Sequence, residues 1–222
     1  MRMENIITID GGAASGKSST SRLLAQRLNL LHVDTGSHYR SLTHALMRLG
    51  CDPKEHAQVV KGLEQLSLDS RIEGRQSRIL INGSPVDEEQ LRSEEVNQQV
   101  SAFASIPEVR AKLLDYQRSQ VELCEPGGFA GLVMEGRDIG SVVFPDARWR
   151  FYLEADAATR QARRELEGQV DSIQQRDQMD AGRKTAPLKI PEGAVRIDSS
   201  ALTLEQVVAR VVSAVNLNNT AG

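Results

Sequence analysis

One stretch near the amino end limits what this chain can become. Ile6-Ile7-Thr8-Ile9 is a β-branched run, residues 10–16 are rich in glycine and small side chains, and Lys17 opens a helical pattern. Gly11, Gly16, Lys17 and Ser18 stand in the spacing G-x-x-x-x-G-K-[ST], a P-loop. Its glycines let successive backbone N–H groups turn inward around phosphate oxygens. A helix beginning at Lys17 turns its positive end toward the same oxygens. A lysine so placed reaches the β- and γ-phosphates, and a serine hydroxyl at the next position ligates Mg2+. Gly11, Gly12, Ala13, Ala14, Ser15, Gly16, Lys17, Ser18 and Ser19 are therefore expected to hold ATP, with Ser18 as the metal ligand.

A P-loop requires a sheet behind it, and short apolar runs supply one. Strands are expected at Leu30–Asp34 and at residues 131–134, 148–153 and 194–198. Helices are expected at residues 18–28, at 37–49 with Gly50 as the stop, at 53–66, and around Val96, Val100 and Phe103. Another opens with Ser105-Ile106-Pro107-Glu108, which reads as a capping box. Ala157–Leu166 forms a basic helix, and Thr203 with Gln206 caps the last one. Residues 68–73 and 77–81 break the alternation by flanking Gly74-Arg75-Gln76 as an antiparallel hairpin. The fold class is thus α/β, a doubly wound five-stranded parallel sheet with a small antiparallel insert, in one domain over residues 1–222. In such sheets ligands sit at the carboxyl ends of the strands.

A net charge of −3 argues against a general nucleic-acid or membrane-surface binder. No apolar run approaches the ~20 residues that a membrane span needs. Cys51 and Cys124 form no CxxC pair and read as reduced thiols of a cytoplasmic protein. Met1 to Asn5 leads straight into a strand, with no expected leader. The expected partners are small-molecule substrates, bound by a monomer.

Three strand ends carry unusual chemistry: the P-loop, then Asp34-Thr35-Gly36 with Tyr39 and Arg40, then Gly136-Arg137-Asp138. Arginine is a charged fork suited to phosphate, so Arg40 and Arg137 point to a second phosphate-bearing ligand. The polar stretch 167–191, with Arg176, Asp180 and Arg183, reads equally as a solvated loop or as a segment serving the site. Arg160, Arg163 and Arg164 share a helix face, with Glu165 and Glu167 near enough to neutralise them. Asp34 reads equally as a helix cap and as a residue near the metal. The four histidines show no metal-ligand spacing and receive no role, and Trp149 reads as core. The absence of Asn-Lys-x-Asp excludes a regulatory GTPase, and a motor ATPase would need greater size and a second acidic strand motif. What remains is a small-molecule or nucleotide kinase, with a nucleotide-dependent regulatory protein as the rival class.

Longer strings add a resemblance that covers nearly the whole chain. Residues 34–40 (DTGSHYR), 91–96 (LRSEEV), 106–110 (IPEVR), 135–140 (EGRDIG), 142–147 (VVFPDA) and 186–188 (APL) are similar to those of bacterial cytidylate kinases. The run from Gly136 to Ala147 discriminates best among nucleoside monophosphate kinases. The resemblance implies a P-loop kinase that uses ATP and Mg2+ to phosphorylate CMP and dCMP. It implies a nucleotide-binding insert at about residues 62–100 and a short mobile lid at about 160–190. It assigns catalysis to Lys17, Arg40, Arg137 and Arg183, with Thr35 and Tyr39 beside the acceptor. It gives Ser101, Arg110 and Asp138 the cytosine edge, and Arg176 and Asp180 the ribose hydroxyls. The departures are Gly12 where the family has proline, Ala14 where it has glycine, Ser19 where it has threonine, and Met179 where a basic residue is common. Ala14 then needs a backbone conformation that a Cβ tolerates. UMP, AMP or a hydroxy acid such as shikimate are the alternative acceptors.

Overall fold

The computed structural model describes residues 5–166 and 188–217. They open with β1 (Ile6–Gly11), α1 (Lys17–Leu28), β2 (Leu30–Asp34), α2 (Thr35–Arg48) and α3 (His56–Glu64). The hairpin β3 (Leu68–Glu73) and β4 (Gln76–Ile81) follows, then α4 (Glu88–Leu91), α5 (Glu94–Phe103) and α6 (Pro107–Ser119). The chain returns to the sheet as β5 (Gly131–Gly136) and β6 (Trp149–Glu154), joined by a π turn at Ile139–Val143. Then come α7 (Ala157–Leu166), β7 (Val195–Asp198) and α8 (Leu204–Leu217). Among the described residues no helix is long and apolar enough to cross a membrane.

The strands lie in the order β3-β4-β2-β5-β1-β6-β7. β1 and β5 are buried along their whole length, as central parallel strands with both faces covered must be. On one face, Leu24, Val207, Val208 and Val211 of α1 and α8 pack against Ile7, Ile9, Phe151 and Leu153. On the other, Leu31, Val33, Leu132 and Met134 meet Ile139, Val143 and Phe144. A third cluster joins α2, α3 and α6 to the hairpin through Leu42, Leu46, Val59, Leu113 and Ile79. Trp149 is core, as expected.

The five parallel strands are present, and the hairpin prolongs the same sheet to seven strands. Its two-residue loop is Gly74-Arg75, with Gly74 at φ 60°, and Glu73 pairs with Gln76. The His32 N–H donates to the Arg75 carbonyl at 2.8 Å, and His32 pairs with Gln76, so the hairpin is rooted on β2. At the outer edge, Asp69 and Arg71 of β3 are exposed, and both Arg71 and Arg78 pair with Glu73.

Some helix boundaries differ from expectation, for local reasons. α2 begins at Thr35 because Asp34 caps it, accepting from the Ser37 N–H at 3.3 Å. Ser105 does not cap α6: its hydroxyl donates to the Ala102 carbonyl at 2.6 Å and finishes α5, leaving Ile106 in the cap position before Pro107. The Thr203–Gln206 box is formed in both directions, at 2.9 and 3.3 Å. Gly50 ends α2 at φ 74°.

Register brings the functional strand ends together. β5 lies between β2 and β1, with Asp34 opposite Glu135 and Asp10 opposite Gly136.

Candidate active site

The P-loop starts from a buried carboxylate. Asp10 accepts the N–H groups of Ile139 and Gly140, both at 2.7 Å, which ties the loop to the chain leaving β5. Burial pushes this carboxyl up to about 7, against the lowering effect of the two N–H groups. A Cβ on Gly11 would lie 2.1 Å from the Leu153 carbonyl oxygen, so no side chain fits there. Gly16 takes the left-handed region at φ 91° and lets α1 start at Lys17. The Lys17 ammonium donates to the Gly12 carbonyl at 2.6 Å. Burial, aided by the charge of Arg137, lowers its pKa to about 8.

Ala14 stands at φ 55°, so its Cβ is tolerated in a conformation that favours glycine. The left-handed region costs a residue with a Cβ about 1 kcal/mol or more. Ala14→Gly is accordingly expected to raise Tm by about 2 °C, as a thermal melt of the two proteins would show; an unchanged or lower Tm would contradict the strain.

A cavity of about 520 Å³ opens above these strand ends. Residues 13–19, Thr35, Tyr39, Arg40, Ser101, Arg137 and Asp138, all expected at the site, line it. Gly11 and Gly12 lie behind the rim and contribute carbonyls, Gly11 to Arg137 Nη1 at 3.0 Å and Gly12 to Lys17. Thr35 is buried and donates to the Glu135 carbonyl at 2.7 Å. Arg176, Asp180, Arg183 and Met179 lie outside the described residues, as does most of the expected lid.

On α2, Arg40 Nη1 donates to the Gly36 carbonyl at 3.2 Å, and its buried Nε has no hydrogen-bond partner among the described residues. Burial lowers the pKa of this guanidinium. Arg110 is buried behind the lining, bonded directly to the Asp138 carboxylate and, at 3.3 Å, to the Ala104 carbonyl. Its guanidinium also lies 5.6 Å from the centre of the Tyr39 ring. A buried Arg–Asp pair presents fixed donors and acceptors side by side, suited to a planar polar ligand.

Several lining residues received no role in the sequence reading, Arg92 and Glu88 among them; Arg164, left there as a candidate for the ATP phosphates, also faces the cavity. α7 leans over the loop: Arg160 reaches the Ala13 carbonyl at 3.4 Å, and Arg163 bonds Ser199 at 3.0 and 2.8 Å. The most consequential is Glu135. The sequence reading found no second acidic strand motif, yet β5 carries this carboxylate beside the P-loop, where it accepts from Ser18 Oγ at 2.7 Å. Its position at a strand end in the register of Asp34 is the signal that would have found it.

Ser18 and Glu135 offer one neutral and one anionic hard oxygen next to a phosphate-binding loop. That donor set suits Mg2+, which takes one or two protein oxygens and completes its shell with water and phosphate. Among the described residues no cluster of three His, Cys, Asp or Glu could cage a metal unaided.

Comparison with known proteins gives one consistent result. A family model described as cytidylate kinase matches residues 7–217. A cytidylate kinase of Bdellovibrio bacteriovorus is 41% identical, over 95% of this chain and 97% of the relative. One from Caldanaerobacter subterraneus subsp. tengcongensis is 38% identical, over 96% and 95% respectively. A third, from Geobacter sp., is 38% identical over 91% and 89%.

Proposed function

The chain belongs to the cytidylate kinase family, and from that premise we propose which of its residues carry the reaction. It is an ATP-dependent phosphotransferase, a nucleoside monophosphate kinase acting on CMP. The observation that supports the assignment of roles is a single cavity lined by the P-loop together with Arg40, Arg137 and Asp138.

The nucleophile is an oxygen of the CMP phosphate. It is already anionic, so the site needs no general base, and catalysis is positioning plus stabilisation of charge on the moving phosphoryl group. The bond from Pγ to the β,γ-bridging oxygen breaks, a bond from Pγ to the CMP oxygen forms, and ADP and CDP result. Loop N–H groups and Lys17 hold the β- and γ-phosphates. Arg137 rests on the Gly11 carbonyl at the cavity and serves the transferring group. Arg40, with a buried unbonded Nε, takes the acceptor phosphate. Mg2+ beside Ser18 and Glu135 supplies neutralisation of phosphate charge when bound. Roles for Arg176 and Asp180 at the ribose and for Arg183 at phosphate rest on the family resemblance alone. We read the enzyme as a cytosolic monomer whose acceptors include dCMP.

Base choice falls to Arg110, Asp138 and Ser101. Cytosine carries an amino donor where uracil carries a carbonyl. Asp138 accepts from the former and would face the latter with an uncompensated acceptor. An ADP-release assay on CMP, dCMP, UMP, AMP and shikimate tests the assignment. CMP and dCMP are expected to exceed the others in kcat/KM by at least about 100-fold. Equal rates with UMP would overturn the role given to Asp138.

A further inference from the structure

Glu135 is 2% exposed, and its two carboxylate oxygens face different partners. Oε2 accepts the Ser18 hydroxyl at 2.7 Å, while Oε1 lies 2.8 Å from Nε2 of His32, itself 2% exposed on β2. A carboxylate accepts, so the hydrogen between them sits on His32 Nε2. The other ring nitrogen, Nδ1, is buried with no hydrogen-bond partner among the described residues.

The direction of the Ser18 proton follows from this arrangement. Aimed at Glu135, it leaves the hydroxyl lone pairs free for a cation on the other side. A carboxylate held only by the serine could turn about its terminal torsion, which is broad and roughly two-fold, and the hydroxyl would turn with it. His32 removes that freedom, and β2 holds its own backbone rigidly through the 2.8 Å bond from its N–H to Arg75.

We propose that His32 is a positioning residue for the phosphate-bound cation: it fixes Glu135, and through Glu135 the Ser18 hydroxyl, in the orientation that accepts Mg2+. The proposal rests on the reading of Ser18 as the metal ligand. Outer partners of this kind commonly change metal affinity by about 10–100-fold.

Calorimetric binding of MgATP and of ATP with chelator, both without acceptor, tests it on the full chain. His32→Phe is expected to weaken MgATP about 10-fold or more while metal-free ATP binds within about twofold of wild type. His32→Gln, whose amide N–H can reach the same oxygen, should recover most of the loss. Should the phenylalanine variant not fold, His32→Asn, too short to reach Glu135, makes the same comparison. Equal weakening of both ligands, or none, would overturn the proposal, since a merely structural histidine does not distinguish them. Ser18→Ala separates the two readings. If it abolishes the preference for MgATP while the His32 variants keep it, the role of His32 fails and that of Ser18 stands. If it too leaves the preference unchanged, the metal assignment itself is wrong.

Discussion

Lys17→Ala is expected to lower kcat by about 10³-fold, the loss seen when one fixed donor to developing charge is removed. The ammonium sits on the Gly12 carbonyl at 2.6 Å, within the loop proposed to cradle the triphosphate. No other cation lies on that wall as part of the loop itself, so a neighbour would have to move to replace it. The same variant is not expected to be less stable near neutral pH. Lys17 falls from 10.5 to about 8 in the folded chain, so the folded state binds fewer protons than the unfolded one between those values. Stability contributed by this group therefore rises with pH across that window, and below pH 8 its charge is a cost that alanine removes. Thermal melts of both proteins at several pH values would show the variant's relative advantage shrinking as pH climbs toward 10.5. Near-wild-type turnover would refute the role of Lys17 in phosphate binding.

Arg137→Ala is expected to act on the rate as strongly, again by about 10³-fold, because arginines on a transferring phosphoryl group are worth that much or more. Its guanidinium lies 3.0 Å from the Gly11 carbonyl and lines the cavity. Arg137→Lys should recover little, since an ammonium lacks the planar fork that meets two oxygens together. Loss of the hydrogen bond to the Gly11 carbonyl should cost about 1 kcal/mol of stability, and the variant is expected to stay folded at the assay temperature. Steady-state kinetics with both substrates varied would reveal the effect in kcat; a change confined to the KM for CMP would make Arg137 a binding residue only.

What could be read from the chain was what is local. The P-loop, the two arginine-bearing strand ends and the Thr203 cap are each written in a few adjacent residues, and each stands where expected. The readings that changed depend on partners remote in sequence or on competition between neighbours. Glu135 meets Ser18 and His32 across more than a hundred residues, through the register of β5 beside β2. No spacing rule pairs a histidine with a carboxylate over that span, and the four histidines were accordingly passed over. Ser105 has the pattern of a cap, but the end of α5 claims its hydroxyl first. The hairpin was legible from its turn, while its attachment to β2 depends on the register that sets His32 beside Gln76. Ala14 shows the reverse case: a substitution visible in the sequence whose cost becomes plain only in the loop's φ angle.

By joining the sheet, the hairpin also decides what the sheet's outer margin looks like. An unpaired strand is a template on which another chain can polymerise. Here that margin is β3, which carries the charged side chains Asp69, Arg71 and Glu73, with Arg71 and Arg78 both paired to Glu73 within the chain. The far margin, β7, is four residues long and carries Arg196, paired at 3.0 Å with Glu154 on the strand beside it. A colliding copy meets alternating charge or a strand too short to extend, so neither margin of the sheet formed by the described residues favours strand-to-strand fibrillation. Protection against aggregation is thus a by-product of how the two margins of the sheet are built.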